Sequence, residues 1–375
     1  MPSASERGTP TEDLAIRVAA RLRDGSPVRI AGAGTKAGWG HPVEGLEPLP
    51  TAELDAIVSH DPGDFTAVVQ AGVSLARAQA TFAEHDQMLA LDPPDPGGAT
   101  VGGVVATSDA GPLRHRYGPA RDLVIGITLA LADGTVARSG GRVIKNVAGY
   151  DLPKLASGSF GTLGVITEVC LRLHPRPSAT ATAVLRRDDP ADLGATTLQL
   201  AARPLEADAL DVRLDADGGA VLVRFGGAAA AERAAALAGE LEGGETVTDD
   251  DELWAAQRAG QRSADGVVLQ VSGMPASLAK VLRAGREHGA TAVGRAGVGT
   301  TWLTLPAGTG ADAVTSLRAA LAPDPVVVTD APAELRAAVD PWGVPDGPEL
   351  ALMRRVKERF DPDRHCNPGV FAGGI

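Results

Sequence analysis

Three glycine-rich stretches, within 27–40, 97–111 and 141–164, break up the first half of this sequence and constrain its fold more than any other feature. Glycine gives up packing and helix stability in exchange for backbone conformations and close approaches that other residues cannot make. The first stretch, PVRIAGAGTKAGWG, passes from a short β-like run, Val28 to Ala31, into a loop too rich in glycine for a helix. The second lies inside LDPPDPGGATVGGVVATSDAGPLRHRYGPARD (91–122), which reads as a long functional loop without regular structure. The third, GRVIKNVAGYDLPKLASGSFGTLG, leads into a β-rich run from Val165 to Leu173 that closes at Pro175. Small residues in all three places, where a bulky ligand needs backbone contact, point to one large ligand shared among the loops.

The intervening segments read as α+β. Leu14, Ile16, Val18, Ala19 and Leu22 follow helical spacing up to Asp24-Gly25, TAVVQAG (66–72) reads as a buried strand, and SLARAQATFAEH (74–85) as a helix capped by Ser74. Asp133-Gly134 marks a two-residue hairpin within 122–140. Residues 179–335 turn alanine-rich, with strand and helix signals alternating, which predicts helices on one face of a sheet. Two similar β-α units there are either an internal duplication or the compositional likeness of alanine-rich helices. A last amphipathic helix, 348–360, precedes the tail DPDRHCNPGVFAGGI, whose Pro and Gly forbid helix.

Composition removes several functions. A net charge of −12 and the lack of a basic run argue against a nucleic-acid partner. The apolar runs are too short to span a bilayer, and the polar start lacks a signal core, so the expected location is cytoplasmic. Cys170 and Cys366 are far apart and outside any CxxC pattern, which leaves neither a disulfide framework nor a thiolate-held iron–sulfur cluster. Redox chemistry here needs an organic cofactor. No metal site is expected: His365 and Cys366 are adjacent in an extended tail, where neighbouring side chains diverge. AGAGTKA (31–37) fits the GxGxxA dinucleotide fingerprint superficially, with Glu53 downstream, but Gly38, Gly40 and Pro42 deny it the helix that fingerprint requires.

The segments IAGAGTK, GGATVGGVVATSDAG, YGPARDLVIG, KNVAGYDLPKL and GSFGTLGVITE, with the tail FDPDRHCNPGVF, resemble the FAD-binding domain of the vanillyl-alcohol oxidase and D-lactate dehydrogenase (PCMH-type) family. The likeness covers about residues 27–177 and 336–372, and is strongest to the FAD-binding subunits of glycolate oxidase complexes within that family. It implies an FAD-binding domain of two α+β subdomains (1–177), an α+β cap with an antiparallel sheet (178–335), and a C-terminal segment (336–375) returning to the FAD domain. Position by position, it implies that the backbone of Ala31, Gly32, Ala33, Gly34 and Thr35 meets the FAD pyrophosphate, with Lys36 beside it. Thr100, Gly102, Gly103, Thr107 and Ser108 would line flavin and ribityl. Gly161, Gly164, Val165 and Ile166 would meet the adenosine half, beside Asn146, Gly149 and Tyr150. Thr35 stands where some members carry a flavin-linked histidine, so the FAD is expected to be non-covalent.

Two departures bear on activity. Phe160 replaces a glutamate common in the family, and the histidine-rich HxGDGNxH-type motif of its hydroxy-acid dehydrogenases is missing: residues 179–335 hold one histidine, His288, at a helix end. No general base for a 2-hydroxy acid is evident, and Lys145, His365 and Asn367 are the candidate catalytic residues, Lys145 as a cation near the flavin. The resemblance implies an FAD-binding subunit that oxidises glycolate or a related 2-hydroxy acid to the 2-oxo acid, alongside a second FAD subunit and an iron–sulfur subunit. The alternatives are a stand-alone FAD-dependent dehydrogenase and a non-catalytic flavin-fold scaffold.

Overall fold

The computed structural model describes residues 10–94, 98–141 and 150–375. Lys145, Asn146 and Gly149 lie outside them. The first half opens with the helix Pro10–Asp24, whose Ala19 and Leu22 pack on Val28, Ala130 and Val165. The strand Val28–Ala31 pairs in parallel with Glu47–Pro50. On its other edge the C-terminal tail bridges to it, Val28 N–H donating to the His365 carbonyl at 2.8 Å and Asn367 N–H to the Val28 carbonyl at 3.1 Å. A five-stranded antiparallel sheet follows, in the order Ile57–Asp61, Thr66–Gln70, Val165–Arg172, Val124–Ala130, Val136–Gly140. Every residue of Thr66–Gln70 is buried, as its β-branched and apolar content predicts for a strand covered on both faces. The helices Leu75–Ala83 and Val101–Thr107 complete that core.

Two local expectations are corrected. The stretch 91–122 contains the helix Val101–Thr107 and the single turns Arg114–Tyr117 and Ala120–Leu123. Burial of Val101, Val104 and Val105 on one face, with Thr100 as cap, outweighs the poor helix propensity of Gly102 and Gly103. The hairpin at Asp133-Gly134 is wider than two residues, because Leu131 N–H already donates to the Thr135 carbonyl and Asp133 Oδ1 accepts from Thr135 N–H.

The second half is an eight-stranded antiparallel sheet built from one topology used twice. Strand, helix, two strands, helix, strand runs Thr180–Arg187, Pro190–Ala201, Ala209–Asp215, Gly218–Gly226, Ala230–Glu240, Gly244–Val247. The same order recurs over Val267–Ser272, Leu278–Glu287, Thr291–Arg295, Thr300–Leu305, Ala311–Leu321 and Val326–Asp330. The units join where Ala209–Asp215 pairs with Thr291–Arg295, Val212 opposite Gly294, so the strand order of one mirrors the other. Duplication is therefore visible in the topology and not only in composition. The four helices bury Leu193, Leu237, Leu282 and Leu317 on one sheet face. The opposite face, carrying Asp211 and Arg295, meets the helix Asp251–Ala259 that links the two units.

Candidate functional site

The three glycine stretches border one cleft, with about 840 Å³ of open space counting its mouth, within the range of a cofactor pocket. Ala31 ends its strand with its carbonyl accepting from Thr51 N–H at 2.9 Å, and the chain then turns through Gly34 at φ +75°. A Cβ at position 32 would stand 2.2 Å from Thr100 Oγ1, so the first stretch touches the second where only glycine fits. Thr100 in turn caps its helix by accepting from Gly103 N–H at 3.2 Å, while Gly102 N–H donates to the Ala71 carbonyl at 2.8 Å. The third stretch is tied to that helix by Phe160 N–H donating to the Ala106 carbonyl at 2.8 Å.

The tail locks the first stretch to the third. Asn367 Oδ1 accepts from Ile30 N–H at 2.7 Å, and its Nδ2 donates to the Phe160 carbonyl at 2.7 Å. A buried ion pair sets the tail: Lys357 Nζ donates to Asp361 at 2.6 Å, to the Thr162 carbonyl at 2.7 Å and to the Cys366 carbonyl at 3.0 Å. Asp361 also accepts from the N–H groups of His365 and Cys366, both at 2.8 Å. Burial and this carboxylate push the Cys366 thiol up to about 12, so it stays protonated at neutral pH.

A polar junction lies beyond the first stretch, between the two halves. Lys36 Nζ stands 3.1 Å from Asp109 Oδ2, both side chains buried. Burial lifts the Asp109 carboxyl above its usual range, against the pull of Lys36. Arg262, just past the linking helix, donates from Nε to Asp330 at 2.7 Å and from Nη2 to the Thr35 carbonyl at 3.1 Å, with its guanidinium 5.3 Å from the Trp39 ring. Trp39 Nε1 donates to the same Asp330 at 3.1 Å. Deeper in, fully buried Arg295 pairs with Asp211 at 2.6 Å and donates to Gln261, whose amide reaches the Ala110 carbonyl. Burial raises Asp211 to about 6 and Asp92 to about 7. Lys36 Nζ, Asp109 Oδ2, Arg262 Nη1, Arg295 Nε, Asp92 Oδ2 and His115 Nδ1 are among the atoms buried here without a hydrogen-bond partner.

The cleft gathers Ala31, Gly32, Ala33, Gly34, Thr35, Lys36, Thr100, Gly102, Gly103, Thr107, Gly161, Gly164, Ile166 and Asn367 into one lining. Ser108 stands at the C-terminal end of the helix Val101–Thr107, outside that lining, Val165 is packed in the core, and Tyr150 is 91% exposed. His365 points elsewhere, its Nδ1 2.7 Å from the Leu22 carbonyl. Sequence reasoning missed Trp39, Asp109, Arg262 and Asp330. Only Trp39, one of four tryptophans and directly beside the loop, carried a local signal. Among the described residues no three His, Cys, Asp or Glu side chains stand together as a metal site.

Residues 7–140 match the FAD-binding domain family. The chain carries an FAD-binding domain over those residues. Its cofactor is FAD, and the glycine lining fits that group: Gly34 leaves open space where a Cβ would project, and Ala31 to Gly34 present backbone with little side chain in the way. Glycolate oxidase subunit GlcE of Escherichia coli is 39% identical over 179 residues, 48% of this chain and 50% of that subunit, so the match takes in half of the relative's length. An uncharacterized FAD-linked oxidoreductase of Mycobacterium tuberculosis is 28% identical over 99% of this chain and 90% of its own. Among solved structures, alkyldihydroxyacetonephosphate synthase superposes with a TM-score of 0.67 at 15% identity, covering 95% of this chain and 75% of that one, which shows a shared fold extending past the FAD-binding domain into the eight-stranded half. Among the described residues no helix is long and apolar enough to cross a membrane.

Proposed function

We propose that this chain is the FAD-binding subunit of a glycolate-oxidase-type complex, with the division 1–177, 178–335 and 336–375. The observation that carries the reading is the convergence of all three glycine stretches and the tail on one cleft, taken with the likeness to GlcE. When bound, FAD supplies the acceptor for two electrons from a 2-hydroxy acid, which becomes the 2-oxo acid. The chain's own residues hold the cofactor non-covalently: the 31–36 backbone on the diphosphate, Thr100 to Thr107 beside the flavin, and Gly161 to Ile166 at the adenosine half. Its two cysteines are buried and cannot hold an iron–sulfur cluster, so in this reading the electrons pass to an iron–sulfur partner subunit or another acceptor.

The test is an absorbance spectrum of the purified chain, before and after anaerobic glycolate and D-lactate, with denaturation to release flavin. About one releasable FAD per chain and no bleaching by the chain alone, with bleaching when partner subunits are added, is the expected outcome. Bleaching by the isolated chain would instead support the stand-alone dehydrogenase. A colourless chain that takes up no FAD would support the scaffold.

A further inference from the structure

The junction between the two halves contains a cation with unused capacity. Arg262 belongs to the segment linking the two repeated units of the eight-stranded half, yet it reaches the glycine loop of the FAD-binding domain through the Thr35 carbonyl, at 3.1 Å. Its guanidinium carries five N–H donors in a rigid fork. Nε serves Asp330 and Nη2 serves Thr35, while Nη1 is buried with no acceptor. A buried donor without a partner is costly, so Nη1 calls for an acceptor, whether a water or a ligand oxygen. The fork lies against Trp39 and is held at Nε. Its counter-charge is already shared: Asp330 accepts from Trp39 Nε1 at 3.1 Å and from Ser263 N–H at 3.2 Å as well as from Arg262. The other cation on this loop, Lys36, has Asp109 as counter-ion at 3.1 Å, although its Nζ too lacks a well-formed hydrogen bond.

We propose that Arg262 is a ligand of the FAD diphosphate, a charge presented across the junction by the half of the chain that is not the FAD-binding domain. A guanidinium and a phosphate form the strong, charge-assisted pair that an unfilled fork beside a phosphate-binding backbone loop calls for. The proposal rests on the reading that places the diphosphate on the 31–36 loop. Its consequence is a linkage: cofactor binding stabilises the docking of the eight-stranded half onto the FAD-binding domain, because one residue takes part in both.

The experiment measures binding of FAD, ADP and riboflavin to the full chain freed of flavin, for the native protein, Arg262→Met and Arg262→Lys. Thermal unfolding of each flavin-free variant confirms that it folds. Arg262→Met is expected to weaken FAD and ADP about tenfold or more and leave riboflavin unchanged. Arg262→Lys keeps the charge but cannot serve Asp330 and Thr35 together, so it is expected to recover most of the ADP affinity. If lysine behaves like methionine, Arg262 is a structural latch and the proposal falls. If methionine weakens riboflavin and spares ADP, the arginine serves the ring and the proposal falls while the FAD reading stands. Unchanged binding in both variants also overturns it. If the native chain binds FAD but not ADP, the placement of the diphosphate on this loop fails as well.

Discussion

The two halves of this protein solve opposite problems. In the eight-stranded half, two copies of one unit share a continuous apolar core of leucine, valine and alanine beneath four helices, while the sheet's other face carries a smaller apolar cluster around Trp254 and the buried Asp211–Arg295 pair. In the FAD-binding half the strands are short, the cores are smaller, and glycine backbone rather than side-chain packing brings the loops together. A core made of interchangeable apolar side chains tolerates substitution as long as volume is kept. A cleft made of backbone contacts does not, because a single added carbon meets a fixed atom. The difference predicts that stability and cofactor retention respond to different residues.

The sharpest way to break that separation is Lys357→Met. It removes the cation from a buried pair and frees the tail that positions Asn367, so both properties should fall together. Loss of one partner of a buried pair costs about 3–5 kcal/mol. Denaturant unfolding reads the stability, and flavin lost on gel filtration reads the retention; a variant that unfolds earlier but keeps its FAD would show that the tail does not support the cleft. Next, Leu303→Ala and Gly32→Val should divide the effects. Leu303 is fully buried in the larger core, and its truncation is expected to cost about 2–5 kcal/mol with FAD still bound. Gly32→Val forces side-chain carbon onto Thr100 and should cost less stability, about 1–3 kcal/mol, while abolishing FAD retention. Equal retention in the two variants would refute the division.

Much of this was legible because it is local. The strand Val28–Ala31, the cap at Ser74, the buried Thr66–Gln70 and the glycine stretches are each readable from residues a few positions apart. The helix Val101–Thr107 was hidden because its two glycines speak against helix and only burial of its valines speaks for it. The junction was hidden for a different reason. Arg262 and Asp109 are two among many charged residues, and what distinguishes them is burial and partners 227 and 73 positions away. The clamp by Asn367 joins residues 337 and 207 positions apart, a relation no periodicity carries.

The smallest effect compares two buried carboxylates of the junction. Burial raises Asp92 to about 7 and Asp211 to about 6, both above the ordinary 3.8. A carboxyl that holds its proton more tightly when folded makes the folded state lose stability as pH rises, from about 4, where the unfolded chain begins to ionise, up to the raised value. Each pH unit in that window is worth at most about 1.4 kcal/mol. Asp92 has Arg258 only at 4.0 Å, and its Oδ1 accepts from Leu113 N–H, a role that an amide oxygen can keep. Asp92→Asn should therefore melt with the native protein near pH 4 and above it by pH 8, the gap opening between those values. Asp211 is the counter-case, because Arg295, fully buried, depends on it at 2.6 Å. Asp211→Asn leaves that guanidinium without a counter-charge and should lower the melting temperature at every pH, most near pH 4 and less toward pH 8, because the native protein itself loses stability as its raised Asp211 ionises. Melting curves at five pH values for the two variants separate the cases: a gap for Asp92→Asn that does not change with pH would mean that its charge is not what burial opposes.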